Sequence, residues 1–415
     1  MKTTSDRYRD PIINMSKKTP QVSNVEVETL GYKIEGIYKK HEAQLKALLP
    51  EKLKQRISIV LKNTNTRVAN GLRRTIIEEM PIKVLNVDVE NIETDEEYLI
   101  RDQLCDHIAL IPLDQDVPNN MVFELDYVND NAEDRLDDVF SEDIYKQSGS
   151  GPSTPFGLRF KLAEMHPTKH LRVKDIHVIE GYGYTHAKFI PVGAVNYEIL
   201  DYIEITEITD RGFLAKQMVK TSDVLAATKG FNERTIHNER ILVIPHSSHK
   251  AKVPAERAIR LNKFSITINK KLRYWNSSEV HPEVFRLTFN TLGNYPAKKL
   301  IKDGCKNICN RLQDVYDHLE PFLKDHMAPP SHLVHARITP DITHVDIYGE
   351  THTIGEILIY NVWRIDPNVA LVNKTLIHSL ERDITINIIH GDPIRILMDA
   401  CKMGIDDFKA IEKQV

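Results

Sequence analysis

The chain has 415 residues, 41% of them hydrophobic and 27% charged, and a formal net charge of −4. That length exceeds one ordinary core and predicts two or three domains in a soluble, globular chain. The charge balance excludes capture of a nucleic-acid backbone by an overall field, so any such contact would have to be local. Cys105, Cys305, Cys309 and Cys401 form no CxxC pair, and Met1 to Asp10 is polar and charged. No apolar run approaches the ~18 residues a membrane span requires. These features predict an intracellular protein with reduced thiols, neither secreted nor membrane-inserted.

Residues 1–50 match nothing later in the chain and read as an N-terminal extension. Val68, Leu72 and Ile76 then recur every fourth position, widened by Ala69 and Ile77, which predicts a helix from Thr66 to Glu79. Asn63 to Thr66 supply capping side chains, and Pro81 stops the helix because it lacks the donor for the i−4 carbonyl. Leu85, Val87 and Val89 alternate with Asn86, Asp88 and Glu90, the pattern of a strand with one wet face. From Leu113 to Pro282 the pattern is interrupted, as by an inserted domain. Within it, Asn129 to Asp143 holds seven carboxylates against one arginine, and Gln147 to Pro155 is rich in Ser, Gly and Pro. A solvated, poorly ordered loop is expected there.

Past the insert, Phe285, Leu287 and Phe289 predict a strand, and Pro296 opens a helix with Leu300, Ile308, Leu312, Val315 and Leu319 on one face. Glu320 to Asp341 carries Pro321, Pro329, Pro330 and Pro340 and reads as a stiff linker. A second helix follows, with Ile354, Leu358 and Val362 as its stripe, Thr351 or Thr353 as cap and Pro367 as stop. Ile384, Ile386 and Ile388 form a strand. A last helix has Asp392 at its cap, Pro393 in its first turn and Ile396, Leu397, Ala400, Phe408 and Ile411 on its apolar face.

The order of helix, strand, Gly-containing turn, Pro and final helix is therefore written twice. It predicts an α+β fold made of two related half-units, each a helix-covered sheet, packed through their helices as an internal pseudo-dimer. Val68, Leu72, Ile76, Ile354, Leu358 and Val362 are its expected inner faces. Gly71 sits inside a helix at a cost of about 1 kcal/mol relative to Ala, which favours a close helix crossing, with Gly355 of the second helix supporting it. The outward faces differ, because Ile359 and Tyr360 stand where the first helix has Arg73 and Arg74.

Ala69-Asn70-Gly71-Leu72-Arg73-Arg74, with Glu78-Glu79-Met80-Pro81 and Asp106-His107-Ile108-Ala109-Leu110-Ile111-Pro112-Leu113, resembles the third-largest subunit of eukaryotic RNA polymerase II, the archaeal D subunit and the N-terminal domain of bacterial alpha. Gly181-Tyr182-Gly183-Tyr184-Thr185-His186-Ala187-Lys188-Phe189-Ile190-Pro191 is similar to a segment of that family's insert. His352-Thr353-Ile354-Gly355-Glu356-Ile357-Leu358 is similar to its partner, the eleventh subunit, or L in archaea. A fusion of the two is found in some large cytoplasmic DNA viruses. The resemblance implies an extension at 1–50, a dimerisation domain at 51–112 and 282–325 interrupted by a mainly-β insert at 113–281, a linker at 326–342, and an eleventh-subunit-like dimerisation domain at 343–415. The insert lacks the cysteine cluster that binds zinc in many members, so no metal and no cofactor is expected. Residues 1–50 and 207–281 have no counterpart in the family pattern.

The resemblance further implies a non-catalytic subunit that nucleates polymerase assembly by giving the two largest subunits a shared platform. It assigns Asn70, Arg73 and Arg74 to the second-largest subunit. Gly181, Gly183, His186 and Lys188 would lie where small subunits like the tenth and twelfth dock. No sequence-specific nucleic-acid contact and no membrane are implied, and the location would be cytoplasmic for a virus, in its factory or virion, and otherwise nuclear. Arginine suits an interface because its planar fork satisfies several acceptors at once, although two adjacent basic residues are commonly just a solvated helix face. Cys105 with His107 and His186 raises a competing reading, a cysteine/histidine hydrolase, in which the first two would share a face of a strand. Gly181 and Gly183 lack the strand–GxGxxG–helix setting of a nucleotide loop. Lys250 to Arg260 and Lys270 to Arg273 leave a nucleic-acid adaptor as a third reading.

Overall fold

The computed structural model describes residues 18–29, 54–130, 135–149, 156, 159–208, 214–220, 234–236, 239–241, 266–269, 282–292, 295–377 and 382–415. The first helix, α1, spans Thr66–Arg74 and continues through a π-turn at Thr75–Glu79. Asn65 caps it, its Oδ1 accepting from the N–H groups of Arg67 at 2.9 Å and Val68 at 3.1 Å. Among the described residues four more helices follow: α2 (Arg101–Ala109), α3 (Ala297–Lys324), α4 (His352–Ile365) and α5 (Pro393–Gln414). Thr351 caps α4 through its hydroxyl, and Asp392 caps α5 by accepting from the Arg395 N–H. Pro393 lies in the first turn of α5, where its missing donor has no partner to lose.

Two four-stranded antiparallel sheets lie under α1, α3, α4 and α5, whereas α2 packs on a third. The first runs Gln21–Thr29, Lys54–Lys62, Phe285–Leu292, Val192–Ile199, and the second runs Val334–Ile338, Thr343–Ile347, Ile384–Ile389, Leu371–Leu376. A third sheet joins Pro81–Asn86, His170–Tyr182, Val122–Val128 and Ile144–Ser148, with Ile92–Thr94 also on the long strand. Asp137–Phe140 pairs with Lys161–Met165 beside it. Tyr202–Ile208 pairs with Leu214–Lys220 and Ile266–Asn269, and Arg234–Ile236 pairs with Glu239–Ile241.

One apolar core runs without a break from the first sheet to the second. Ile57, Ile59, Phe285, Leu287 and Phe289 join Leu72 and Ile76 of α1 and Leu312 of α3. These meet Ile357 and Leu358 of α4, Ile384 and Ile386 of the second sheet, and Phe408 of α5. A second core fills the third sheet around Phe123, Leu125, Leu171, Val173 and Ile176. Strand Pro81–Asn86 stands between them, with Ile82 and Val84 in the first and Leu85 in the second. Each fully buried Leu, Ile or Phe contributes about 1.5–3 kcal/mol, so this apolar continuity supplies most of the stability, and polar contacts supply orientation.

The six stripe residues Val68, Leu72, Ile76, Ile354, Leu358 and Val362 are all buried. At Gly71 a Cβ would lie 3.2 Å from Ile357 Cδ1 and 3.6 Å from Thr353 Cγ2, so α1 and α4 do cross closely there. Gly355 serves a different purpose: a Cβ on it would meet the Lys374 stem at 2.7 Å, and the glycine lets that side chain lie across α4.

Several local expectations need correction. The strand expected over Leu85 to Val89 is Pro81–Asn86, because its partner is Gly181 and its neighbours on the long strand, in the register Ile82↔Gly181 to Asn86↔His177. Val89 falls in an exposed turn. The acidic stretch is partly ordered: Asn129 is fully buried and donates to the Met165 carbonyl at 2.9 Å, and Asp137–Phe140 is a strand. Residues 131–134 and 150–155 lie outside the described residues. The proline-rich junction is shorter than expected. Helix α3 runs past Pro321 to Lys324 because burying Phe322 extends its apolar face, and Val334–Ile338 is already a strand of the second sheet. Gln21–Thr29, assigned to the extension, and Val192–Ile199, assigned to the insert, form the two edges of the first sheet.

Candidate functional site over the seam

The outward face of α1 carries Asn70, Arg73 and Arg74, and the two arginines are not equivalent. Arg74 turns along its own helix, its Nε donating to Glu78 at 3.0 Å and its other nitrogen lying 3.6 Å from Glu79. The Arg73 Nε donates to Asn70 Oδ1 at 2.9 Å, and no carboxylate lies within ion-pair distance of it among the described residues. It is the arginine whose charge stays available.

The 181–188 segment packs directly against the end of this helix. A Cβ on Gly183 would come within 2.6 Å of the Ile77 carbonyl oxygen, and the Tyr184 N–H donates to the Glu78 carbonyl at 3.2 Å. At Gly181 the Phe189 ring occupies the place of a Cβ, at 2.4 Å. Both glycines are therefore required by close approach. The rings of Tyr182 and Tyr184 stack at 5.2 Å, and the Arg382 guanidinium lies 3.8 Å over Tyr184. His186 Nδ1 accepts the Lys188 N–H, and Lys188 Nζ donates to Asn86 Oδ1 at 2.9 Å. Arg74, Gly183 and the Tyr184 N–H thus meet at Glu78, whereas Arg73 is bonded to Asn70 and Gly181 is packed on Phe189.

Beneath this surface is a buried polar cluster that joins the end of α1 and the middle of α3 to the start of α4. The Glu79 side chain, 1% exposed, accepts from the hydroxyls of Thr351 at 2.9 Å and Thr353 at 2.8 Å, and pairs with Arg311 at 2.7 Å. Arg311 also clasps Glu350, with its Nε 2.8 Å from Oε1 and a second short contact to Oε2. Burial acts to raise the Glu79 carboxyl, yet Arg311 and the two threonines hold it below the usual carboxylate range. The carboxylate sits at the N-terminal end of α4, where the helix dipole favours a negative charge. A cleft of about 280 Å³ opens beside it, lined by Arg67, Asn70, Gly71, Arg74, His352 and Glu356. Arg67 and Lys374 both pair with Glu356, at 2.8 and 3.1 Å. Burial, with Lys374 and Arg74 nearby, pushes the His352 imidazole down. The sequence reading missed Glu79, Arg311, Glu350 and Arg382. A signal was present for one: Arg311 interrupts an apolar stripe between Ile308 and Leu312.

The hydrolase reading fails on geometry. Cys105 and His107 lie on helix α2, not a strand, and so point about 200° apart. His107 Nδ1 is engaged with the Leu162 carbonyl at 3.0 Å. Burial and then Asp102, Asp106 and Asp88 push the Cys105 thiol up, which opposes the thiolate a nucleophile needs. Among the described residues, no three His, Cys, Asp or Glu side chains are grouped to hold a metal ion, and no helix is long and apolar enough to cross a membrane.

These features define a mixed α and β chain with a polar surface over the crossing of α1 and α4. No family model matches the chain. Along nearly its whole length it is similar to a protein named DNA-directed RNA polymerase RPB3-11 homolog of African swine fever virus, isolate Tick/Malawi/Lil 20-1/1983. The two are 23% identical over 405 residues, spanning 94% of this chain and 97% of that protein. The protein of the same name from isolate Pig/Kenya/KEN-50/1950 is 23% identical over 364 residues, 85% of this chain and 86% of its own length. The chain thus resembles a fused polymerase subunit of the third-and-eleventh type, as its Ala69 to Pro81 and His352 to Leu358 segments indicated.

Proposed function

We propose that this chain is a non-catalytic subunit of a multisubunit DNA-directed RNA polymerase and acts as its assembly platform. Two alpha-like halves pack as an internal pseudo-dimer, and the third sheet with its own core is the inserted β domain. The observation that carries this reading is the convergence of the α1 face, the 181–186 turn and Arg382 of the second half on one polar surface over the seam. A surface assembled from three parts of the chain exists only when the halves are paired, so a subunit that docks there reads the folded platform. Covalent fusion places the halves at an effective concentration on the order of mM, which removes one encounter from assembly.

The second-largest subunit docks through Asn70, Arg73 and Arg74, the largest uses the same platform, and small subunits like the tenth and twelfth seat beside Tyr182 to Lys188. The test is affinity purification of the chain from its native source with Arg73→Ala and Arg73→Ala/Arg74→Ala. Recovery of two very large subunits with the native chain, and their loss with the variants, is the expected result. Equal recovery with the double variant refutes the assignment of this face.

A further inference from the structure

The two halves offer each other nearly the same apolar faces, so apolar packing alone cannot decide which half pairs with which. Laid over each other, buried Leu300, Cys305 and Leu312 of α3 fall on Ile396, Cys401 and Phe408 of α5. In that register Arg311 falls on Asp407, an opposite charge. With Pro81 laid on Pro367, Glu350 falls on Thr64. The polar partners at the two ends of the seam are therefore inverted. At one end Arg311 of the first half reaches Glu350 of the second at 2.8 Å. At the other, Asp407 pairs with Arg364 of its own half, and both side chains are about 95% buried. The Thr64 hydroxyl, at the place equivalent to Glu350, is buried with no hydrogen-bond partner among the described residues.

We propose that this inverted charge order is a pairing rule: the second half accepts the first half and refuses a second copy of itself. In a pair of second halves, Glu350 would face Asp407 in place of Arg311, setting two buried carboxylates against each other. In a pair of first halves, Arg311 would lose Glu350 and face Thr64. The first arrangement sets like charges together, and the second takes from Arg311 one of its two carboxylates, leaving it Glu79 alone at 2.7 Å; the unlike pair avoids both losses. A buried polar group that selects a partner while adding little net stability has a parallel in coiled coils, where one core asparagine fixes the pairing. The rule rests on the two-half reading and is independent of the polymerase assignment.

The test uses the full chain. Light scattering should give one chain mass, 47.7 kDa, for the native protein. Glu350→Arg repels Arg311 and matches Asp407, so it should convert the protein to dimers joined through their second halves. Adding Asp407→Asn should lower that dimer fraction by at least about tenfold. A second variant covers the case in which Glu350→Arg does not fold. In a chain carrying Arg67→Cys and Glu356→Cys, which face each other across the native seam, a short bis-maleimide bridges the halves of one chain. Glu350→Gln in that background should yield a concentration-dependent population of unbridged dimers. A folded, monomeric Glu350→Arg, a dimer indifferent to Asp407→Asn, or complete intrachain bridging of Glu350→Gln would each overturn the rule. Such a failure leaves the co-purification test of Arg73→Ala untouched.

Discussion

Helices α1 and α4 carry the same buried stripe, yet the residues beside it have opposite fates. On α4, Ile359 and Tyr360 are 6% and 3% exposed, and Arg364 lies over the Tyr360 ring. That face is closed by the chain itself: Arg364 donates to the Lys18 carbonyl, and the Gln414 carboxamide bonds to Pro20 and Val22 of the first edge strand. On α1 the equivalent residues are Arg73 and Arg74, both partly exposed, with Arg74 held against Glu78 and Glu79. Two helices with the same stripe thus have one closed face and one open face. The difference lies in a few side chains, because the packing stripe leaves those positions free to vary.

The closed face should be the more fragile when broken. Arg364→Ala leaves Asp407 buried without its cation, and truncating one partner of a buried pair costs about 3–5 kcal/mol. A large fall in the urea midpoint with an unchanged m-value would show it. The two ends of the seam should also respond to acid with opposite sign. Glu79 is held below its ordinary 4.5, so its stabilisation is complete above that pH and is lost as pH falls through the folded value. Burial raises Asp407 above its ordinary 3.8 against the pull of Arg364, so the folded state binds that proton more tightly. That end therefore loses stability as pH rises from 3.8 through the folded value and changes little beyond. Glu79→Gln should flatten the acid-side loss below pH 4.5, and Asp407→Asn should steepen it, in urea midpoints taken across that range.

The crossings offer a finer comparison. At Gly304 a Cβ would sit 2.9 Å from Ile76 Cγ1, inside the branch of a fully buried side chain. Gly304→Val should cost about 1–3 kcal/mol by overpacking. At Gly71 the nearest atom is the flexible end of Ile357, at 3.2 Å. Crowding there is offset by the ~1 kcal/mol that Ala gains over Gly within a helix, so Gly71→Ala should leave the thermal midpoint almost unchanged.

Both crossings bear on what could be read in advance. The stripes, the caps at Asn65, Thr351 and Asp392, and the strands carrying Leu287 and Ile386 follow from local periodicity and capping chemistry, which depend only on near neighbours in sequence. Gly71 was legible for the same reason, since a glycine costs stability inside any helix. Gly355 was misread because its neighbour, Lys374, comes from a strand beyond the helix. The strand at Pro81–Asn86 was displaced because alternation fixes a face and not a register, and its register is set by residues 177–182. Glu79, Arg311 and Glu350 were invisible as a group because three charges far apart in sequence signal nothing until the fold brings them within 3 Å.

The smallest effect on stability should accompany the largest effect on assembly, and it falls on the open face. Among the described residues Arg73 makes one part-buried side-chain hydrogen bond, to Asn70, and no ion pair. Surface changes of that kind stay within about 0.5 kcal/mol, so Arg73→Ala should melt with the native protein. Arg74→Ala also removes contacts to Glu78 and to buried Glu79, so some of its effect must appear as lost stability. If α1 is the open half of a matched pair, loss of the large subunits should follow Arg73→Ala in full. The variant Tyr360→Arg, made on the closed helix, should destabilise the chain without creating a second docking face. Co-purification and thermal midpoints measured on the same three preparations separate the two outcomes. An Arg73→Ala chain that melts normally and still brings down both large subunits would mean that the exposed cation on α1 is simply solvated.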